Sequence, residues 1–147
     1  MILKENNRVA VLSIGNVAQG ALLFLNKTCA KIDIYTRSNI NKFLDALGVY
    51  DVIVSGIEVD AGHVIESHHK KKINNGALVI DAAADGDGAI QGTRYTTIDN
   101  PIYSEDGVFY YVVNNSPSVF YREASHLLSR LFSQAVYSQD PRDLIKL

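Results

Sequence analysis

Neither a second cysteine, nor a surplus of positive charge, nor a long apolar run occurs in this chain. The lone cysteine, Cys29, excludes an internal disulfide. No histidine or cationic pair stands near it to activate the sulfur, so it reads as a structural thiol rather than a nucleophile. A net charge of −2 and a pI near 6.0 supply no basic field for nucleic acid or for an anionic membrane surface. No apolar stretch approaches the length of a signal or membrane-spanning segment, which predicts a soluble, cytoplasmic protein. The adjacent His68 and His69 point to different faces of any helix, and no cysteine or acid stands at ligand spacing from them or from His63, so no metal site is expected.

What the chain does have is apolar residues, 47% of 147, enough to bury one proper core. A single α/β domain over residues 1–147 is therefore predicted. Its central stretch is Arg8 to Ala21, RVAVLSIGNVAQGA. Val9, Ala10, Val11, Leu12 and Ile14 are apolar almost without a break, as in a strand buried on both faces of a parallel sheet. Ser13, Gly15, Ala18 and Gly20 then supply small residues where a dinucleotide fold needs a tight turn, close approach of backbone to pyrophosphate, and helix packing on strand. Two departures mark the GxGxxG pattern: Ser13 replaces the first glycine and Ala18 the third. A nucleotide loop and an ordinary strand-to-helix turn both fit that pattern. Val17, Ala21, Leu22 and Leu25 recur at helical spacing, so a helix starting near Asn16 would aim its free amides at whatever lies over Gly15, and an anion suits that place.

Lys31 to Thr36 reads as a second parallel strand one helix length later. An acid at its end would hold a ribose 2′-hydroxyl; here stands Thr36-Arg37-Ser38 instead. A guanidinium flanked by hydroxyls suits a 2′-phosphate and favours NADP over NAD, while the competing reading makes Arg37 a solvated surface charge. Ser38 or Asn39 is expected to cap a helix carrying Ile40, Phe43, Leu44 and Leu47, which Gly48 ends. Asp51 to Ser55 is a third strand, and Gly56 and Ile57 after it form either a cofactor-lining edge or a plain strand-end turn.

Asp60 to Lys72 is polar, and its lysine run reads as the exposed end of a crossover helix. Gly76 to Ala84 is a fourth buried strand. Beyond it, Asp85-Gly86-Asp87-Gly88 lies at the edge where open α/β sheets place ligands, so Asp85 is either an Asx-type turn former or a carboxylate aimed at substrate. Tyr95 to Ile98 and Gly107 to Val113 look like closing strands, divided by turns at Asn100-Pro101 and Asp106-Gly107. A long amphipathic helix from Ser118 to Tyr137 follows, with more apolar surface than a minimal domain needs, which suggests a partner chain or self-association.

With SIGNVAQGA, IDAAAD and YYVVNNSPS noted, the chain resembles the C-terminal nucleotide-binding part of the carboxyethylornithine synthases, and more broadly the alanine dehydrogenase and lysine-forming saccharopine dehydrogenase group. The likeness runs from about Arg8 to about Gln134. It implies a Rossmann-like parallel sheet flanked by helices, with a long C-terminal helix. It also implies a pyrophosphate over Ser13, Gly15, Asn16, Val17 and Ala18, a 2′-phosphate near Thr36 and Arg37, and a cofactor edge at Gly56 and Ile57. By the same resemblance, Asp85 acts near substrate and nicotinamide, and Asn115, Ser116 and Pro117 pass the nicotinamide.

Only Met1 to Asn7 precede the first strand, so the substrate-binding domain that such enzymes carry is expected to be absent from this chain. Two functions follow as alternatives. One is the NADP(H)-binding domain of an opine-type oxidoreductase, which condenses a 2-oxo acid such as pyruvate with a side-chain amine such as that of ornithine and is poorly active alone. The other is a stand-alone nucleotide-binding or partner-docking module without chemistry.

Overall fold

Strand β1 (Arg8–Leu12) is buried from Val9 onward, which is why its apolar residues run without alternation. In the computed structural model, which describes residues 4–28, 31–59, 62–83, 88–114, 116 and 120–134, β1 is paired in parallel on both sides. One neighbour is β2 (Lys31–Tyr35), the other β3 (Val52–Ser55). The sheet continues through β4 (Leu78–Asp81), β6 (Val108–Tyr111) and β5 (Ile102–Glu105), giving the order β2-β1-β3-β4-β6-β5. Of these described strand pairs only β5–β6 is antiparallel. The chain thus steps from β1 to one side, then crosses back to the other, and this reversal opens a crevice at the carboxyl ends of β1 and β3.

Side chains alternate between two cores. Val9, Val11, Val52 and Val54 face helix α1 (Asn16–Leu25), whose Ala18 and Leu25 pack among them. Ala10, Leu12, Ile53 and Val79 face the opposite way, against Phe43 of helix α2 (Ile40–Asp45), Leu47 of the following 3₁₀ turn, Tyr50, Ile65 and Ile90. Val108, Tyr110 and Val112 extend that second core. Full burial of side chains of this size contributes roughly 1.5–3 kcal/mol each.

A polar chain ties the amino-terminal half of the sheet together. Arg8 pairs with Asp33 at 3.1 Å, the Tyr50 hydroxyl donates to Asp33 Oδ2 at 2.9 Å, and Tyr35 donates to Tyr50 at 2.5 Å. Burial, and then the Tyr35 and Asp33 contacts, push the Tyr50 phenol well above its usual range, so it remains a neutral donor.

Several expectations change. Among the described residues the Asp60 to Lys72 crossover is mostly irregular, its only helix being α3 (Ser67–Lys70). Within it Lys70 is not an exposed charge: its side chain is 14% exposed, and its ammonium pairs with Glu105 at 3.3 Å and lies 5.1 Å from the Tyr110 ring centre. Tyr95 to Ile98 forms no strand; Thr96 makes a single bridge to Val113, and the closing partner of β6 is Ile102–Glu105. Asn39 stands at the α2 cap position, but its side chain turns back to accept from the Thr36 amide at 2.6 Å rather than capping the helix. Cys29 lies outside the described residues.

By contact the chain divides into two units, Met1–Asn114 and Asn115–Leu147. The second holds helix α4 (Tyr121–Phe132), with Leu127, Leu128, Leu131 and Phe132 all exposed. Residues 118, 119 and 135–137 of the expected helix lie outside the described residues.

The β5–β6 turn uses Asp106 at φ 50° and Gly107 at φ 78°, the left-handed pair that a type I′ hairpin requires. A Cβ at Gly107 would also run into the Asn75 side chain. Gly107→Ala is therefore expected to cost about 1–3 kcal/mol, read as a lowered urea midpoint with unchanged slope.

Candidate functional site

Around the β1/β3 crevice lies a cleft of about 640 Å³, within the range typical of small-molecule sites. Three strand ends build it. From β1 come Ser13, Ile14, Gly15, Asn16 and Val17; from β2, Thr36, Arg37 and Ser38; from β3, Gly56, Ile57 and Glu58.

Its floor is the β1–α1 turn. Ser13 continues the ladder, its amide donating to the Tyr35 carbonyl at 2.8 Å, but it does so at φ 105°, where glycine is at ease and serine is strained. The Ser13 hydroxyl compensates by accepting the Gly15 amide at 3.0 Å. Gly15 itself is extended, at φ −68° and ψ 179°, and forms the α1 cap position without a side-chain cap. An added Cβ there would approach only Ser13 Oγ, at 3.4 Å, so the absent side chain leaves the turn's backbone open to the cleft. No acid occupies the first turn of α1, and the helix dipole is left to attract an external anion. Ala18 does not line the cleft; it is buried at the helix–sheet contact, the packing role of a third small residue.

One bank is the β2 end. The Thr36 and Ser38 hydroxyls lie 2.9 Å apart, and the Thr36 amide is held by Asn39, so the turn carrying Arg37 is locally fixed. Arg37 is exposed and has no ion-pair partner among the described residues. On the other bank Gly56 rests against the first turn of α1, where a Cβ would meet Val17 at 3.5 Å, and Ile57 is buried. Behind this bank, Ser55 and Asp81 are register partners and both buried, placing polar side chains at the cleft end of a mainly apolar core.

The cleft thus gathers Ser13, Gly15, Asn16, Val17, Thr36, Arg37, Gly56 and Ile57. Ser116 falls in the second unit, and Asp85, Asn115 and Pro117 lie outside the described residues. Sequence reasoning missed Ile14, Ser38 and Glu58. For Glu58 a signal existed, an acid three residues past Ser55 at the carboxyl end of a parallel strand. Elsewhere, His63 Nδ1 bonds the Gly88 carbonyl at 2.7 Å, and no cluster of three metal-ligating side chains occurs among the described residues. No described helix is long and apolar enough to cross a membrane.

The profile of the family described as alanine dehydrogenase/PNT, C-terminal domain, matches residues 6–141. The N(5)-(carboxyethyl)ornithine synthase of Clostridium botulinum is 42% identical over 138 residues, covering 92% of this chain and 44% of that protein. The Lactococcus lactis enzyme of the same name is 38% identical over 142 residues, covering 95% of this chain and 45% of its own length. The chain therefore spans a little under half the length of these relatives. Among solved structures, an L-alanine dehydrogenase superposes with TM-score 0.62 at 18% identity, covering 77% of this chain and 38% of that one. A transhydrogenase from Sinorhizobium meliloti gives 0.63 at 13%, covering 74% of this chain and 37% of that one. Those two likenesses show a shared fold, the Rossmann-like sheet flanked by helices.

Strain at Ser13 makes a direct prediction. Ser13→Gly should be at least as stable as the parent, whereas the β-branched Ser13→Val should lose about 1–3 kcal/mol, both read from urea melts followed by circular dichroism.

Proposed function

Because this chain belongs to the alanine dehydrogenase/PNT C-terminal domain family, whose members bind a nicotinamide cofactor, we propose that its cleft holds NADP(H). The observation that carries the choice of NADP is Arg37, an exposed guanidinium, unpaired among the described residues, beside two hydroxyls at the end of β2, where an NAD-binding domain would carry an acid. A 2′-phosphate matches that group of donors through charge-assisted hydrogen bonds. The open backbone at Gly15 and the uncompensated N-terminus of α1 suit the pyrophosphate. Ala18, by packing flat on the sheet, sets how closely that terminus approaches.

We further read the domain as the cofactor half of an opine-type oxidoreductase, one that condenses a 2-oxo acid such as pyruvate with an amino-acid side-chain amine such as that of ornithine. When bound, the cofactor supplies the hydride, while the protein supplies binding and orientation. Asp85, following the β4 strand end, is the residue proposed to act at the substrate end, and Asn115, Ser116 and Pro117 are proposed to pass the nicotinamide. The Clostridium botulinum and Lactococcus lactis relatives, at 42% and 38% identity, are both named carboxyethylornithine synthases, and this supports the substrate class. The exposed apolar residues of α4 are read as a contact surface for a second chain.

Two measurements test the cofactor reading. Arg37→Ala should weaken NADPH binding at least tenfold in calorimetry and leave NADH nearly unchanged, since a lost charged hydrogen bond is worth about 1.5–3 kcal/mol; equal losses for both would reduce Arg37 to a surface charge. Gly15→Val should abolish binding of either nucleotide while the circular dichroism spectrum stays native, because the new side chain occupies cleft rather than core. Unchanged affinity in that variant would remove the dinucleotide reading.

A further inference from the structure

Glu58 is the one charged residue lining the cleft that the cofactor reading leaves without a task. It is exposed, it has no ion-pair or hydrogen-bond partner among the described residues, and it lines the same cleft as Arg37. Because β1 lies between β2 and β3, the two charged banks are separated by two strand spacings, about 10 Å at ~4.8 Å each. Opposite charges so placed do not neutralise one another; they face the contents of the cleft from two sides.

We propose that Glu58 reads the purine base of the bound dinucleotide by accepting a hydrogen bond from its exocyclic amine. The inference rests on the NADP(H) reading above and adds base selectivity to it. The anionic parts of the ligand are drawn to Gly15, the α1 N-terminus and Arg37, and a carboxylate repels them. What a carboxylate accepts from is an uncharged donor. The ribose that carries the 2′-phosphate is held toward the Arg37 bank, which leaves the base to reach the opposite one. Ile14 and Val17, both at least half exposed, and the buried Ile57 offer apolar contact for a flat ring between the banks. An ionised carboxyl has no proton to donate, so a 6-oxo purine, whose oxygen replaces the amine, would meet it acceptor to acceptor.

The experiment uses the full chain with NADPH and with its hypoxanthine analogue, in which only the amine is exchanged for oxygen. Calorimetry should show the wild type binding NADPH about tenfold or more tightly than the analogue. Glu58→Gln, whose amide both donates and accepts, should bring that ratio close to one, while Arg37→Ala should weaken both ligands and keep the ratio. A wild-type ratio near one, or a ratio unaltered in Glu58→Gln, overturns the assignment while leaving the cofactor reading intact. Failure of the wild type to bind either nucleotide overturns both.

Discussion

Everything in the first unit depends on the parallel pairing of β1 with strands on both sides. A strand buried on both faces is apolar throughout, so its register is fixed by contacts with two cores at once rather than by one wet and one dry face. The reversal of chain direction about it puts three strand ends around one opening. That opening inherits unsatisfied backbone amides from α1 and charged side chains from the β2 and β3 ends. The site is a product of the topology, and the side chains refine it.

Much of this was legible in the sequence because it was written in periodicity. Val9 to Leu12, Val52 to Ser55 and Leu78 to Asp81 are short apolar runs bounded by turn residues, and each is a parallel strand. The Asn16 start of α1 followed from helical spacing after a glycine. Less legible were elements stabilised by long-range partners. Tyr95 to Ile98 has β-favouring residues but lacks a full strand partner, whereas Ile102 to Glu105 looks polar and is a strand because the Asp106-Gly107 turn folds it onto β6. Lys70 looked like a solvent charge since neither Tyr110 nor Glu105 is near it in sequence.

Within the site, backbone positions could be read and side-chain companions could not. Gly15 and Ala18 announce themselves by size. Ser13 looked like a flaw in the motif; in the structure it adopts the glycine-like backbone and offsets the strain with a hydrogen bond to Gly15. Glu58 went unread since it sits 21 residues beyond Arg37 and only the crossing of the chain over β1 brings both to one cleft.

The sheet also finishes at both sides on strands that discourage further pairing. At one end β2 carries Lys31 and Asp33, the latter paired with Arg8; at the other, β5 is four residues long, begins directly after Pro101 and closes on Glu105. Short edges bearing charge and proline are poor templates for a neighbouring backbone. Intermolecular growth of the ladder, the route by which exposed strands nucleate amyloid-like aggregates, is thereby disfavoured at either margin.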